Sequence, residues 1–156
     1  MSGRTTVLGV GNPIMGDDGV GLALLASVRA ARPDAGVDYV DGGTGGLELL
    51  PVVQDASRLL VLDAVAGGAP GTVVRLDGDQ IPRLLSAKLS PHQVGLLDVF
   101  AAARMLGREP AQVHVVGIVP EAVDVRVGLS DSVAAAIPEA TELACSILDE
   151  WGACVG

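Results

Sequence analysis

Short aliphatic runs alternate with amphipathic stretches along almost the whole chain, and this alternation leaves few folds open to it. The run Arg58-Leu-Leu-Val-Leu-Asp63 is the clearest case: four consecutive apolar residues ended by an acid. A strand apolar on both faces belongs in the middle of a covered sheet. Thr5–Val10 is a similar run, stopped by Gly11-Asn12-Pro13. Residues 37–40, 72–76 and 113–119 complete a set of five expected strands, with 72–76 suited to an edge. Between them lie helical stretches. One runs to about Arg32, with Val20, Leu24, Leu25 and Val28 on a single stripe. A second spans 47–54, where Pro51 predicts a kink or a short helix. A third starts at Ser90-Pro91-His92, with Ser90 as N-cap and Pro91 in the first turn, and ends near Gly107. The last is capped by Ser130 and reaches about Glu150, with a kink expected at Pro138.

Strand–helix alternation of this kind predicts a single α/β domain over residues 1–156. Its architecture would be a three-layer α/β/α sandwich around a twisted, mostly parallel sheet of about five strands. Right-handed crossovers then gather the loops that follow the strands at one edge of the sheet. Hydrophobic residues make up 49% of the chain but aromatic residues only 2%, so the core must be aliphatic.

The formal net charge of -9 argues against a nucleic-acid partner, because phosphates require clustered Lys and Arg. It also disfavours an anionic membrane surface. A basic or metal-bearing partner fits better. Cys145 and Cys154 lack the spacing of a redox or zinc motif, which fits a reduced cytoplasmic setting. Residues 5–10 are too short for a signal peptide, and no apolar run approaches the roughly 20 residues that span a bilayer.

Asp18, Asp63 and His92 each fall beyond or shortly after an expected strand, at the edge where parallel α/β folds place their sites. Two carboxylates and an imidazole can hold a borderline divalent metal and leave a coordination position open. A helix N-terminus disfavours the imidazolium form at His92, and neutral imidazole is the metal-binding form. Asp17 and Asp18 have a simpler role available as caps of the first helix. Glu121 reaches the same edge, as a partner to the site or as a loop ion pair. His114, inside a strand, reads as a packed or hydrogen-bonded histidine. A dinucleotide-binding reading of Gly9-Val-Gly-Asn-Pro-Ile14 has Asp41 as a possible ribose-binding acid. However, Ile14 occupies the place of the third glycine, and Asp17 and Asp18 put negative charge where a diphosphate would lie.

Five segments carry a resemblance. Gly9-Val-Gly-Asn-Pro-Ile-Met-Gly-Asp-Asp-Gly-Val-Gly21 resembles the N-terminal signature of the nickel–iron hydrogenase maturation endopeptidases. Asp41-Gly-Gly-Thr-Gly-Gly46, Leu62-Asp63-Ala64, Ser90-Pro-His-Gln-Val-Gly-Leu96 and Gly117-Ile-Val-Pro-Glu121 are similar to that family's later loops, in the same order. The resemblance implies a twisted α/β fold. It also implies an enzyme that removes the C-terminal extension of a hydrogenase large-subunit precursor after nickel insertion. Cleavage then lets the mature C-terminus close over the metal centre.

By the same resemblance, Asp18, Asp63 and His92 are the metal-contacting and catalytic residues, and Asp41 is a loop acid that handles substrate, with Gly42 and Thr44 beside it. Nickel would be supplied by the substrate, no tightly bound cofactor is expected, and purified protein should be nearly metal-free. The partner would be the nickel-loaded precursor, met by a monomer. A serine or cysteine nucleophile is disfavoured, because no Gly-x-Ser-x-Gly elbow occurs and both cysteines lie outside these loops. The rival reading is a non-enzymatic nucleotide- or metal-binding module that acts as an assembly chaperone.

Overall fold

The computed structural model describes residues 4–33, 36–78 and 91–152, and of residues 91–94 the backbone alone. Strands β1 (Thr5–Val10), β2 (Val37–Gly43), β3 (Arg58–Ala64), β4 (Val73–Asp77) and β5 (Gln112–Ile118) form one sheet in the order β2-β1-β3-β5-β4. All neighbours are parallel except β4, which runs antiparallel to β5 at the edge. Helices α1 (Val20–Ala31), α2 (Leu50–Asp55), α3 (Pro91–Met105) and α4 (Asp131–Glu150) cover its two faces.

Alternation along the central strands sorts the core into two layers. Val7, Leu60 and Leu62 point to the face covered by α1 and α4, where they meet Val20, Leu24, Val28, Ala140, Ile147 and Leu148. Leu8, Val10, Leu59 and Val61 point the other way, toward Val53 of α2 and Leu96, Val99 and Ala103 of α3. This is the three-layer sandwich expected from the alternation. At about 1.5–3 kcal/mol for each fully buried aliphatic side chain, the two layers supply the main drive to fold.

Several boundaries differ from those read in the sequence, each for a local reason. Of the two outcomes that Pro51 allows, the structure has the short helix rather than the kink. A 3-10 turn, Leu47–Leu49, leads into α2, and Pro51 lies in the first turn of that helix, where its missing N–H costs no hydrogen bond. Strand β2 continues past residue 40, so Asp41 lies inside it, opposite Gly9. The register then shifts between Gly9 and Val10, and the Gly11 N–H donates to the Gly43 carbonyl at 2.8 Å. Ser90 lies outside the described residues.

The order β2-β1-β3 creates a point of divergence. The chain leaves β1 for β2 by way of α1 on one face, and reaches β3 by way of α2 on the other. Loops at the carboxyl ends of β1 and β3 therefore part, and open α/β sheets bind ligands in such crevices. Glycine lets α1 start close above this point. A Cβ at Gly21 would lie 2.1 Å from the Val10 carbonyl oxygen and 2.4 Å from that of Leu62. Helix propensity favours Gly21→Ala by about 1 kcal/mol. Packing opposes it, because the clashing atoms are strand backbone and cannot rotate away. We expect Gly21→Ala to lower stability by about 2 kcal/mol or more, measured by urea unfolding. A neutral or stabilising effect would contradict the close contact.

Candidate active site at the carboxyl edge of the sheet

The loop between β1 and α1 folds back on itself. Gly11 adopts a φ of +143°, and a Cβ there would sit 2.1 Å from the Asp18 carbonyl oxygen. The Asn12 side chain accepts from the Ile14 N–H at 3.1 Å, and the Asn12 N–H donates to Asp18 Oδ2 at 3.1 Å. Asp17 and Asp18 occupy a 3-10 turn, Gly16–Gly19, and Gly19 is the N-cap of α1 with no side-chain capping bond. The N-cap position is thus filled by a glycine rather than by either acid.

The two acids have different tasks. Asp17 is fully buried and turns toward the segment that joins β5 to α4. Its Oδ2 accepts from the N–H groups of Glu121 and Ala122, both at 2.9 Å, and from the Ser130 hydroxyl at 2.7 Å. Its Oδ1 accepts from the Ser130 N–H at 2.7 Å. Burial alone would raise its pKa, but the hydrogen bonds from Ala122, Ser130 and Glu121 outweigh burial and hold it below the ordinary 3.8. Ser130 occupies the N-cap position of α4 as expected, yet its hydroxyl is spent on Asp17 rather than on the helix. Backbone bonds lace the same two loops together: Asp17 N–H to the Ala122 carbonyl, Gly16 N–H to Arg126, and Arg126 N–H to Ile14.

Asp18 is left at the divergence point, only 5% exposed. Asp63, in the last turn of pleat of β3, is fully buried, and its Oδ1 accepts the Ala64 N–H at 2.7 Å. Register places Asp63 opposite Gly117 of β5, where a Cβ would lie 2.7 Å from the Asp63 carbonyl oxygen. On the β2 side, Asp41 is exposed, and its Oδ1 accepts the Gly43 N–H at 3.0 Å. Gly42 is half-buried and Thr44 exposed. Helix α3 presses on this loop, since a Cβ at Gly95 would be 3.1 Å from Gly46 Cα. His92 lies one turn earlier in α3, and its side chain lies outside the described residues. Among the described residues, no three His, Cys, Asp or Glu side chains form a metal-holding group.

Other groups fall elsewhere. Glu121 accepts from the Ser132 hydroxyl at 2.9 Å, a bond local to the start of α4. His114 bonds Asp77 on the neighbouring strand through Nδ1 and stacks on Trp151 at 5.5 Å, the packed role expected of it. Cys145 is a free thiol at the α4 core contact, and burial pushes its pKa up although Arg32 opposes the shift. It is thus an inert packing group rather than a nucleophile; Cys154 is outside the described residues. A cavity of about 710 Å³ opens beside β2 between Arg29, Tyr39 and Val52, and no candidate site residue lines it. Among the described residues no helix is long and apolar enough to cross a membrane.

Comparison with known proteins agrees with the fold and identifies the family. Residues 23–147 match the model of the hydrogenase maturation protease family HycI. The hydrogenase 2 maturation protease of Escherichia coli is 38% identical over 153 residues, covering 96% of this chain and 93% of that protein. The hydrogenase expression/formation protein HupD of Bradyrhizobium diazoefficiens is also 38% identical, over 97% of this chain and 81% of its own length. Among solved structures, the hydrogenase-maturating endopeptidase HybD of E. coli superposes with a TM-score of 0.88 over 96% of this chain and 94% of its own. The [NiFe] hydrogenase maturation protease HybD of Thermococcus kodakarensis superposes with a TM-score of 0.73 at 30% identity, over 92% and 98% of the two chains.

The Asp17 cluster makes a stability prediction. In Asp17→Asn an amide N–H₂ meets donors that previously met a carboxylate, so we expect a loss on the order of 3 kcal/mol at pH 7. A depressed folded-state pKa contributes stability above the unfolded value and loses it as pH falls through the folded one. The gap between wild type and variant should therefore be full near neutrality and narrow below about pH 3.8. Urea unfolding at several pH values measures this, and a gap independent of pH would contradict it.

Proposed function

The chain belongs to the hydrogenase maturation protease family, and from that premise we propose that it removes the C-terminal extension of a nickel–iron hydrogenase large-subunit precursor once nickel is in place. One observation carries the reading. Asp18 and Asp63 stand on either side of the β1/β3 divergence, both withdrawn from solvent, with the first turn of α3 and its His92 at the same edge.

In this reading the substrate brings its own nickel. Two carboxylates and one imidazole, without a thiolate, make a modest nickel site. They suit recognition of a metal already held in part by the precursor. Engagement by Asp18, Asp63 and His92 sets the scissile peptide in the crevice, and fixed orientation lowers the barrier to its hydrolysis. Either the metal polarises the scissile carbonyl or activates water, or one of the two carboxylates takes the proton of the attacking water. Both routes require the same three side chains. Asp41, Gly42 and Thr44, at the end of β2, border the crevice and bind the extended tail.

A protein with this task works as a monomer in the cytoplasm, where its precursor is assembled, and carries no tightly bound metal of its own. Stoichiometric zinc in freshly purified protein would count against that part of the reading.

The test is incubation with nickel-loaded precursor, followed by intact-mass spectrometry. Wild type should release one C-terminal peptide, and His92→Ala should lower kcat/KM by about 100-fold or more. Cleavage by the variant at the wild-type rate would remove His92 from the reaction.

A further inference from the structure

Seven large aliphatic side chains among the described residues are conspicuously exposed: Ile14, Leu47, Met105, Leu106, Val123, Val125 and Val127. Single exposed apolar residues are ordinary, whereas a contiguous group is informative. Met105 and Leu106 lie together at the far end of α3. The other five all follow strand carboxyl ends. Ile14 comes after β1, Leu47 after β2, and the three valines after β5.

The valines alternate with charged residues as Val123-Asp124-Val125-Arg126-Val127. Met15 and Arg126 form a parallel bridge, which runs Ile14 and Val125 side by side. Val125 and Val127 are 83% and 87% exposed, and Ile14 is 57% exposed. This segment is not loosely held. The four hydrogen bonds to the buried Asp17 carboxylate and the backbone lacing to residues 14–17 fix it in place. The valines are thus displayed by a segment anchored at both ends, beside the turn that carries Asp18.

We infer that Ile14, Val123, Val125 and Val127 form a preordered aliphatic rim on which the polypeptide of the hydrogenase precursor seats. The inference rests on the endopeptidase reading and deepens it. The occupant follows from position: Ile14 belongs to the loop that carries Asp18, and the Met15–Arg126 bridge ties the valine segment to that loop, so a polypeptide bound at Asp18 lies beside the rim. A small apolar ligand would need an enclosing pocket, and the cavity of about 710 Å³ is lined by none of these residues. A rim of this kind adds contact that does not depend on metal. The protease can therefore bind the precursor as a protein before its metal is tested.

The experiment compares binding and cleavage for purified nickel-loaded precursor. The variants are Val125→Asp/Val127→Asp and, as a control, Met105→Asp/Leu106→Asp. All four side chains are exposed, so melting temperatures should stay near wild type, which is checked first. We expect the valine variant to bind the precursor about 10-fold or more weakly, with KM raised to match and kcat within about 3-fold. The control should bind like wild type. Equal binding by the valine variant and wild type would overturn the rim, as would an equal loss in the control. Valine-dependent binding by a wild type that cleaves nothing would leave the rim standing and sink the endopeptidase reading instead. A wild type that fails to bind the precursor would overturn both.

Discussion

The close seating of α1 over the carboxyl ends of β1 and β3 is the contact on which the rest of the site depends. The 2.1 Å and 2.4 Å approaches at Gly21 leave no room for a side chain. They bring the turn just before the helix directly above the point where the two strands' loops part. A helix set back by even a methyl group would lift Asp18 away from Asp63. The fold and the site therefore share one steric condition, met by the absence of a Cβ. Gly9 meets a related condition, since a Cβ there would lie 2.8 Å from Leu25 Cβ.

Adjacent acids in one short turn would repel if both faced the crevice. The structure separates their work. Asp17 turns inward and its charged carboxylate accepts from four donors of one segment, which locks that segment as a wall. Asp18 is held by the Asn12 N–H at the divergence point. A buried, four-fold hydrogen-bonded carboxylate thus lies one residue from the candidate chemistry, where small displacements matter most. The same anchoring holds the valine segment outward without collapse into the core.

Period and composition made most of the fold legible. Continuous apolar runs marked the central strands β1 and β3, and the helical stripe Val20-Leu24-Val28 marked the face of α1 that is buried. Strand ends were less legible. Asp41 read as the residue following its strand and Asp63 as the last residue of its own, but both lie inside the ladder, which the glycines after Asp41 and Ala64 after Asp63 continue without side-chain conflict. The role of Asp17 was not legible at all. Its partners are over a hundred positions away, and an acid before a helix looks the same in one dimension whether it caps that helix or grips a remote loop. Ser130 marked the start of α4, but its hydroxyl satisfies a distant carboxylate in place of its own helix. Asp18, Asp63 and His92 were singled out by their positions after strands and by family resemblance.

The central claim is that Asp18, Asp63 and His92 act on one metal ion. Titrating isotope-labelled protein with Ni²⁺ and following paramagnetic broadening by NMR tests it most directly. The side-chain resonances of these three residues should broaden together and follow one shared binding curve. Broadening centred on the His114–Asp77 pair, with Asp18 and Asp63 unaffected, would contradict it.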